Sequence, residues 1–304
     1  MLDELRSNEI KANDVEITSP LVSVIISFYK HEAYVAEAVE SVRRNGYAPI
    51  EIIIVDDGSP VSAASVLGPN DDVLIIRTEN GGAAAARNRG FRSSSGEFLL
   101  FLDSDDRLIP GAIASHMVTL AGHPEAALSF GAAATIDAGG NRILPPSLCR
   151  PRKDYFLKLL EGNPIASPGA AVMRREAFME AGFFDEQFKN VEDYRLYLKI
   201  ARRHPFVLIN RHVLDRRLHG SNKSGNKERM LAATLLALDR IEAEDEFSKY
   251  ELKRLARGRR RWTHDYRPEN TLAYRIRSLY YRFRAMFSVS PMEWARSFSD
   301  DQKG

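Results

Sequence analysis

Four short apolar runs, VSVII (Val22 to Ile26), IIIV (Ile52 to Val55), VLII (Val73 to Ile76) and FLLFL (Phe98 to Leu102), set the strongest limit on how this chain folds. Each run is continuous rather than alternating. A strand covered on both faces needs apolar side chains at successive positions, and crossover helices between parallel strands provide the cover. The intervening segments have helical spacing. Ala33 to Arg44 sets Val35, Val39 and Val42 on one side, and Ala83 to Phe91 opens after Gly81 and Gly82. A third helix is predicted from Pro110, read as a first-turn proline, through Ile113, Met117 and Leu120. A βαβαβαβ alternation is thus expected by residue 122. In such sheets ligands sit beyond the carboxyl ends of the strands, so the loops after Ile26, Val55 and Leu102 are expected around one crevice.

After residue 123 the pattern turns to α+β. A strand is predicted over Ala126 to Phe130, then a Pro/Gly-rich stretch to Pro151 and helices near Tyr155 to Glu161 and Arg174 to Ala181. A helix from Glu192 to Arg203 presents Tyr194, Tyr197, Leu198 and Ala201 at core-facing spacing. Beyond Asn226 the chain reads as helical and increasingly basic. With 304 residues there is room for one catalytic domain and an appendage. The expected division is a polar arm over 1–19, an α/β domain over 20–225 and a helical basic region over 226–304.

Hydrophobic residues at 44% and charged residues at 28% are ordinary globular values, which excludes a disordered or collagen-like chain. The single Cys149 excludes an intrachain disulfide and a multi-cysteine zinc site, and fits a reducing compartment. No run of about 18 apolar residues is present, and the opening MLDELRSNEIKANDVE lacks a signal-peptide core. The expectation is a cytoplasmic protein, soluble or peripheral at the inner face of the membrane. The net charge of +2 hides an asymmetry, because Lys249 to Arg284 carries twelve Lys/Arg against three Asp/Glu.

The acidic turn DSDD, Asp103 to Asp106, follows FLLFL directly. Carboxylates at Asp103 and Asp105 suit Mg²⁺ or Mn²⁺ shared with substrate phosphates, and a solvated acidic turn is the alternative. Asp56 and Asp57 follow IIIV, where an acidic side chain either reads a base or ribose or merely shapes the Asp-Gly turn. In ENGGAAAARNRG, two glycines at a helix mouth and Arg87 inside it suit a diphosphate, with tight alanine packing as the competing explanation.

Taken in order, VSVIISFYKHEAYVAEAVESV, IIIVDDGS, NGGAAAARNRG and GEFLLFLDSDD resemble the family-2 glycosyltransferases, and Ser167 to Arg203 resembles that family's acceptor half. The resemblance implies a GT-A fold, a Rossmann-like, mostly parallel sheet flanked by helices, here with a helical basic C-terminal extension. It implies an inverting transferase moving a sugar from a nucleotide-diphosphate donor, a UDP-sugar, to the hydroxyl of a sugar or glycoconjugate, in cell-surface polysaccharide synthesis, with Mn²⁺ or Mg²⁺. Position by position it implies Asp57 for the uracil, Ser27 and Tyr29 lining the base, and Arg87 near base and diphosphate. It gives Asp103 and Asp105 as the metal pair, with Asp105 the direct ligand, and His219 near metal or pyrophosphate. Asp193 becomes the general base, with Glu192 as alternative; as first-turn acids both also suit the helix dipole. The chain departs from the family at Ser27-Phe28, where a Pro-containing turn is common.

Two other readings remain. A nucleotidyltransferase would carry a Gly-rich phosphate loop after the first strand, where SFYKHEAY stands instead. A non-catalytic polyanion-binding module is suggested by RLARGRRRW, although nucleic acid is not the expected partner. Farther on, Leu272, Ile276, Leu279, Tyr280, Phe283 and Phe287 recur at helical spacing among arginines, which suits docking on the protein's own core or a peripheral membrane contact.

Overall fold

The computed structural model describes residues 19–266 except 70–71, 148 and 221–225. The expected N-terminal arm (but for its last residue) and the apolar stripe from Leu272 to Phe287 lie outside the described residues. The four apolar runs form β1 (Val22–Phe28), β2 (Ile50–Asp57), β3 (Val73–Thr78) and β4 (Phe98–Asp103), joined by α1 (Val35–Arg43), α2 (Ala63–Leu67) and α3 (Ala83–Arg92). All four strands run parallel, in the order β3-β2-β1-β4. β1, β2 and β4 are buried on both faces, whereas β3 is the edge strand and Leu74 is 50% exposed, which corrects the expectation of four fully covered strands. Close helix packing helps cover the centre. A Cβ at Gly90 on α3 would stand 2.4 Å from Ile25 Cγ2, so glycine lets the helix lie down on β1.

A short β5 (Arg107–Leu108) precedes α4 (Ala112–Ala121). Pro110 is not in the first turn of α4, because Gly111 stands between them as a left-handed N-cap with φ 73°. The next strand, β6, covers Leu128–Ile136, longer than expected, and β7 (Arg142–Leu144) returns beside it from within the Pro/Gly-rich stretch. α5 (Tyr155–Glu161), β8 (Ala171–Arg174), α6 (Arg175–Glu180), α7 (Glu192–Ala201) and β9 (Phe206–Arg217) follow. Antiparallel β8 joins β4 to β6, β9 pairs parallel with β6, and β5 closes the order β3-β2-β1-β4-β8-β6-β9-β5. The fold is therefore mixed α/β with a mostly parallel first half. β9 opens with the apolar run FVLI, but NRHVLDRR after it does not read as a buried strand, because it places Asp215 and Arg217 inside the protein. Asp215 is held by Arg107 at 3.0 Å and His212 at 3.0 Å, and Arg217 donates to the Asp105 carbonyl at 2.9 Å. Paired burial is what allows such charges inside.

The C-terminal helices α8 (Lys227–Glu244) and α9 (Lys249–Asp265) are not a separate appendage in packing terms. They rest on α5 and α7, burying Ala237, Leu238, Ile241 and Leu255. A Cβ at Gly258 would stand 1.9 Å from the Leu160 carbonyl oxygen, so α9 meets the end of α5 backbone to backbone. Much of the basic run is neutralised in place. Arg254 and Arg257 meet Glu161 at 3.0 and 3.1 Å, and Arg259 pairs with Asp239 at 2.6 Å and also with Glu242. Among the described residues no helix is long and apolar enough to cross a membrane.

Candidate active site

Strand register decides which side chains converge. Ser27 lies opposite both Val55 and Asp103, and Phe28 opposite Asp56, so β1, β2 and β4 end together and their loops open into one cleft of about 540 Å³. Ser27, Tyr29, Asp57, Arg87, Asp103, Asp105, Glu192 and Asp193 all line it. His219 sits behind Asp105, its Nε2 2.9 Å from Asp105 Oδ2.

The two aspartates after β2 divide the alternatives between them. Asp56 is fully buried and accepts from the backbone N–H groups of Ser59 at 2.9 Å and Ala63 at 3.0 Å, so it shapes the turn. Asp57 faces the cleft while accepting from the N–H groups of Gly81 at 2.8 Å and Gly82 at 2.9 Å and from Asn80 Nδ2 at 3.1 Å. It thereby fixes the mouth of α3. Both explanations of the alanine run apply: Ala84 is packed in the core, while Ala83 and Ala86 line the cleft.

The DSDD turn does not present Asp103 and Asp105 as a matched pair. Asp103 is turned to Arg87, Oδ1 accepting at 2.6 Å, whereas Asp105 groups with His31 and His219. One donor atom from each of the latter three residues lies within 4.8 Å of the others. Asp106 is buried and accepts from the Arg217 N–H and the Ser167 hydroxyl, both at 2.9 Å. Desolvation, then the charges of Asp105 and Asp103, push its carboxyl well above the ordinary range. Asp106 ties the turn to β9 while lining the cleft.

The Arg87 guanidinium bridges Asp103 at 2.6 Å and Glu192 at 2.7 Å across the cleft floor. Among the described residues, Arg87 Nε and Glu192 Oε2 are buried with no hydrogen-bond partner. Unmet polar atoms at the floor of a cleft are suited to a polar ligand. Asp193, beside Glu192 in the first turn of α7, has its carboxyl pushed up to about 7. Desolvation is the main cause, Glu192 adds to it, and Arg87 opposes it. Perturbed carboxyls in clefts are candidate acid–base groups.

Some of the cleft lies beyond the sequence expectation. His31 follows β1 in SFYKHEAY, and its position three residues after Phe28, in a loop at a strand's carboxyl end, was the available signal. Met230, Thr234, Trp262 and Tyr266 reach the cleft from α8, α9 and the residue ending α9, with no local motif to announce them.

The residues present fit a divalent cation. Asp105 supplies a hard anionic oxygen and the two histidines supply nitrogens within the same small space. This is an α/β fold with a polar, acidic cleft at the carboxyl ends of parallel strands. The model of glycosyl transferase family 2 matches residues 23–182, just over half of the chain, and the chain belongs to that family. A Rickettsia felis protein described as an uncharacterized glycosyltransferase is 30% identical over 227 residues, covering 71% of this chain and 38% of that protein. Chondroitin synthase of Escherichia coli is 30% identical over 212 residues, 68% of this chain and 30% of that enzyme. This chain thus spans well under half the length of these relatives. Among solved structures, S. aureus TarS residues 1–349 superposes with a TM-score of 0.62 at 18% identity, covering 82% of this chain and 73% of that 1–349 chain. The mannosyltransferase PcManGT from Pyrobaculum calidifontis, solved with GDP-Man and Mn²⁺, superposes with a TM-score of 0.60 at 16% identity, covering 94% of this chain and 81% of its own. These likenesses establish the GT-A fold.

Proposed function

We propose that this chain is an inverting, metal-dependent glycosyltransferase that moves a sugar from a nucleoside diphosphate, UDP foremost, to an acceptor hydroxyl. The carrying observation is that one cleft holds a cation-suited cluster at Asp105 and, across it, a carboxyl at Asp193 poised near neutral pH. TarS has been solved with UDP and with UDP-GlcNAc, and PcManGT with GDP-Man and Mn²⁺, which supports a nucleotide-sugar donor of either base. A role in surface polysaccharide or glycoconjugate synthesis is proposed from the family and from relatives such as chondroitin synthase. Residues 20–225 are proposed as the transferase domain, with α8 and α9 completing its acceptor wall.

Asp57, Ser27 and Tyr29 hold the nucleoside end, and Asp105 with His219 holds the cation. A bound cation neutralises charge on the departing diphosphate, a contribution worth several kcal/mol in typical sites, about 3 or more. The acceptor oxygen forms its bond to the anomeric carbon as the bond to the diphosphate oxygen breaks, and its proton passes to Asp193. One displacement inverts the centre. Both Asp193 and Glu192 line the cleft, and Asp193 serves this better because Glu192 is engaged with Arg87 while the Asp193 carboxyl is pushed up to about 7. The non-catalytic polyanion module is disfavoured by the internal pairing of Arg254, Arg257 and Arg259.

The test is a screen of nucleotide sugars for diphosphate release, with and without chelator. Release should require a divalent cation and fall about 10²-fold or more in Asp105→Asn. Undiminished release by that variant or in excess chelator would reject the metal-dependent reading, and dependence on a nucleoside triphosphate would favour a nucleotidyltransferase.

A further inference from the structure

Asp105 faces two imidazoles rather than a second carboxylate. His219 Nε2 lies 2.9 Å from its Oδ2 and His31 Nδ1 3.9 Å from its Oδ1, while the side chain of Asp103 is held by Arg87. Donor atoms within 4.8 Å of one another come onto one ion with bonds of about 2.0–2.2 Å after a small side-chain adjustment. We propose that His31 is a third protein ligand of this centre, which makes it a two-histidine, one-carboxylate site that selects a first-row transition cation over Mg²⁺. The proposal deepens the metal-dependent reading given above and rests on it for biological use, but its chemistry is readable without turnover.

The placement of His31 is built rather than incidental. Lys30, just before it, takes a left-handed φ of 58°, a conformation that non-glycine residues rarely hold without support. Its N–H is anchored on Ser59 Oγ at 3.1 Å. Ser104, between the two aspartates of the turn, meets His31 Nδ1 at 2.9 Å, and a small ring movement exchanges that hydroxyl for a cation. Tyr34 sets both imidazoles at once, edge-on to His31 at 6.5 Å and tilted against His219 at 5.3 Å between centroids. The Arg217 guanidinium lies 4.6 Å from the Tyr34 centroid and fixes the tyrosine in turn.

Ligand chemistry gives the selectivity. Mg²⁺ dehydrates reluctantly and prefers an octahedron of oxygens, whereas imidazole nitrogen favours the later first-row ions. Three protein ligands leave positions for water and for diphosphate oxygens.

The experiment is titration of the full chain, without nucleotide, with Mg²⁺, Mn²⁺ and Co²⁺ by calorimetry, together with the visible absorption of bound Co²⁺. Mn²⁺ and Co²⁺ should each bind about 10-fold or more tighter than Mg²⁺. His31→Gln should weaken Co²⁺ by about 100-fold or more, the upper end of the roughly 10–100-fold that loss of an outer-shell partner costs, and shift the Co²⁺ bands, at an unchanged melting temperature. His31→Asp, which returns an oxygen donor, should narrow the preference for Co²⁺ over Mg²⁺. Equal affinities for Mg²⁺ and Co²⁺, or unaltered Co²⁺ binding and bands in His31→Gln, would overturn the proposal. Co²⁺ binding through His31 with no donor turned over would leave the proposal standing and fell the transferase reading; turnover with unaltered Co²⁺ binding in His31→Gln would do the reverse.

Discussion

The wall of the cleft built from β1, β2 and β4 and the wall built from α7, α8 and α9 treat their carboxylates in opposite ways. On the first, Asp57 accepts two backbone N–H groups and Asp105 rests against His219. Charge-assisted bonds of this kind hold an anion in one place. On the second, Asp193 is desolvated beside Glu192 and its carboxyl is pushed up to about 7. On the proposed function the first wall receives the polar donor, and the second holds the group that accepts a proton. The sharpest way to break this contrast is Asp193→Asn. Loss of a positioned base costs roughly 10²–10⁴ in rate, so transfer should fall by that factor while donor and metal affinity stay near wild type. Glu192→Gln should lose less, as expected for a positioning residue. Wild-type kcat at saturating substrates should rise with pH and level off above about 7, where Asp193 is ionised. If donor affinity fell in step with transfer, Asp193 would belong with the receptor wall instead.

Arg87 joins the two walls. Its side chain is 5% exposed and it binds Asp103 and Glu192 at once, so Arg87→Met leaves two carboxylates facing each other without their cation. Breaking a buried pair from one side costs about 3–5 kcal/mol. Asp103 keeps 32% of its side chain exposed and recovers some hydration, so a loss near the lower end, about 3 kcal/mol, is expected in denaturant unfolding. A loss below about 1 kcal/mol would mean that the walls stand independently.

The walls also differ in how far the sequence announces them. Continuous runs such as FLLFL mark buried parallel strands, and register then carries Ser27, Asp57 and Asp103 to one edge with no further information needed. The motif around Asp105 is local, so its place at the end of β4 is legible as well. His31 is harder to see, because its place beside Asp105 depends on the left-handed turn at Lys30 and on Ser104, 73 positions later. The pairing of Arg87 with Glu192 joins positions 105 apart, and no periodicity encodes it. Strand β9 is hidden for a related reason, since Asp215 and Arg217 look like surface residues until Arg107, His212 and Glu37 are brought to them. Trp262 and Tyr266 stand on an otherwise polar helix and its end, and only the docking of α9 on α5 turns them toward the cleft. The family match stops at residue 182, short of this entire second wall.

That docking can be loosened by one methyl group. Alanine at position 258 would gain up to about 1 kcal/mol of helix propensity, yet its Cβ would stand 1.9 Å from the Leu160 carbonyl oxygen. Overpacking typically costs about 1–3 kcal/mol, and here the obstacle is backbone rather than a movable side chain, so the clash wins. Gly258→Ala should lower the melting temperature and raise the acceptor KM, with donor affinity unchanged. An unchanged melting temperature and acceptor KM would show that α9 does not shape the second wall.

The smallest expected effect follows from the same raised carboxyl that makes Asp193 useful. In the folded protein it keeps its proton up to about pH 7, whereas an unfolded chain releases it near the ordinary value of about 3.9. Folding therefore takes up a proton between those limits. The stabilisation linked to this group is fully present below about pH 4 and is lost as pH rises to about 7, the reverse of a salt-bridged carboxylate. At pH 8 the ionised, desolvated Asp193 should destabilise the fold by on the order of 1–2 kcal/mol, once its partial contact with the cleft solvent is allowed for. Asp193→Asn removes that penalty, since an amide of nearly the same shape carries no charge beside Glu192. The variant should thus be more stable than wild type at pH 8 and indistinguishable from it near pH 4, with a flatter profile between. Parallel stability profiles for the two proteins over that range would show that burial does not raise the Asp193 carboxyl, and its standing as a base poised near neutral pH would go with it.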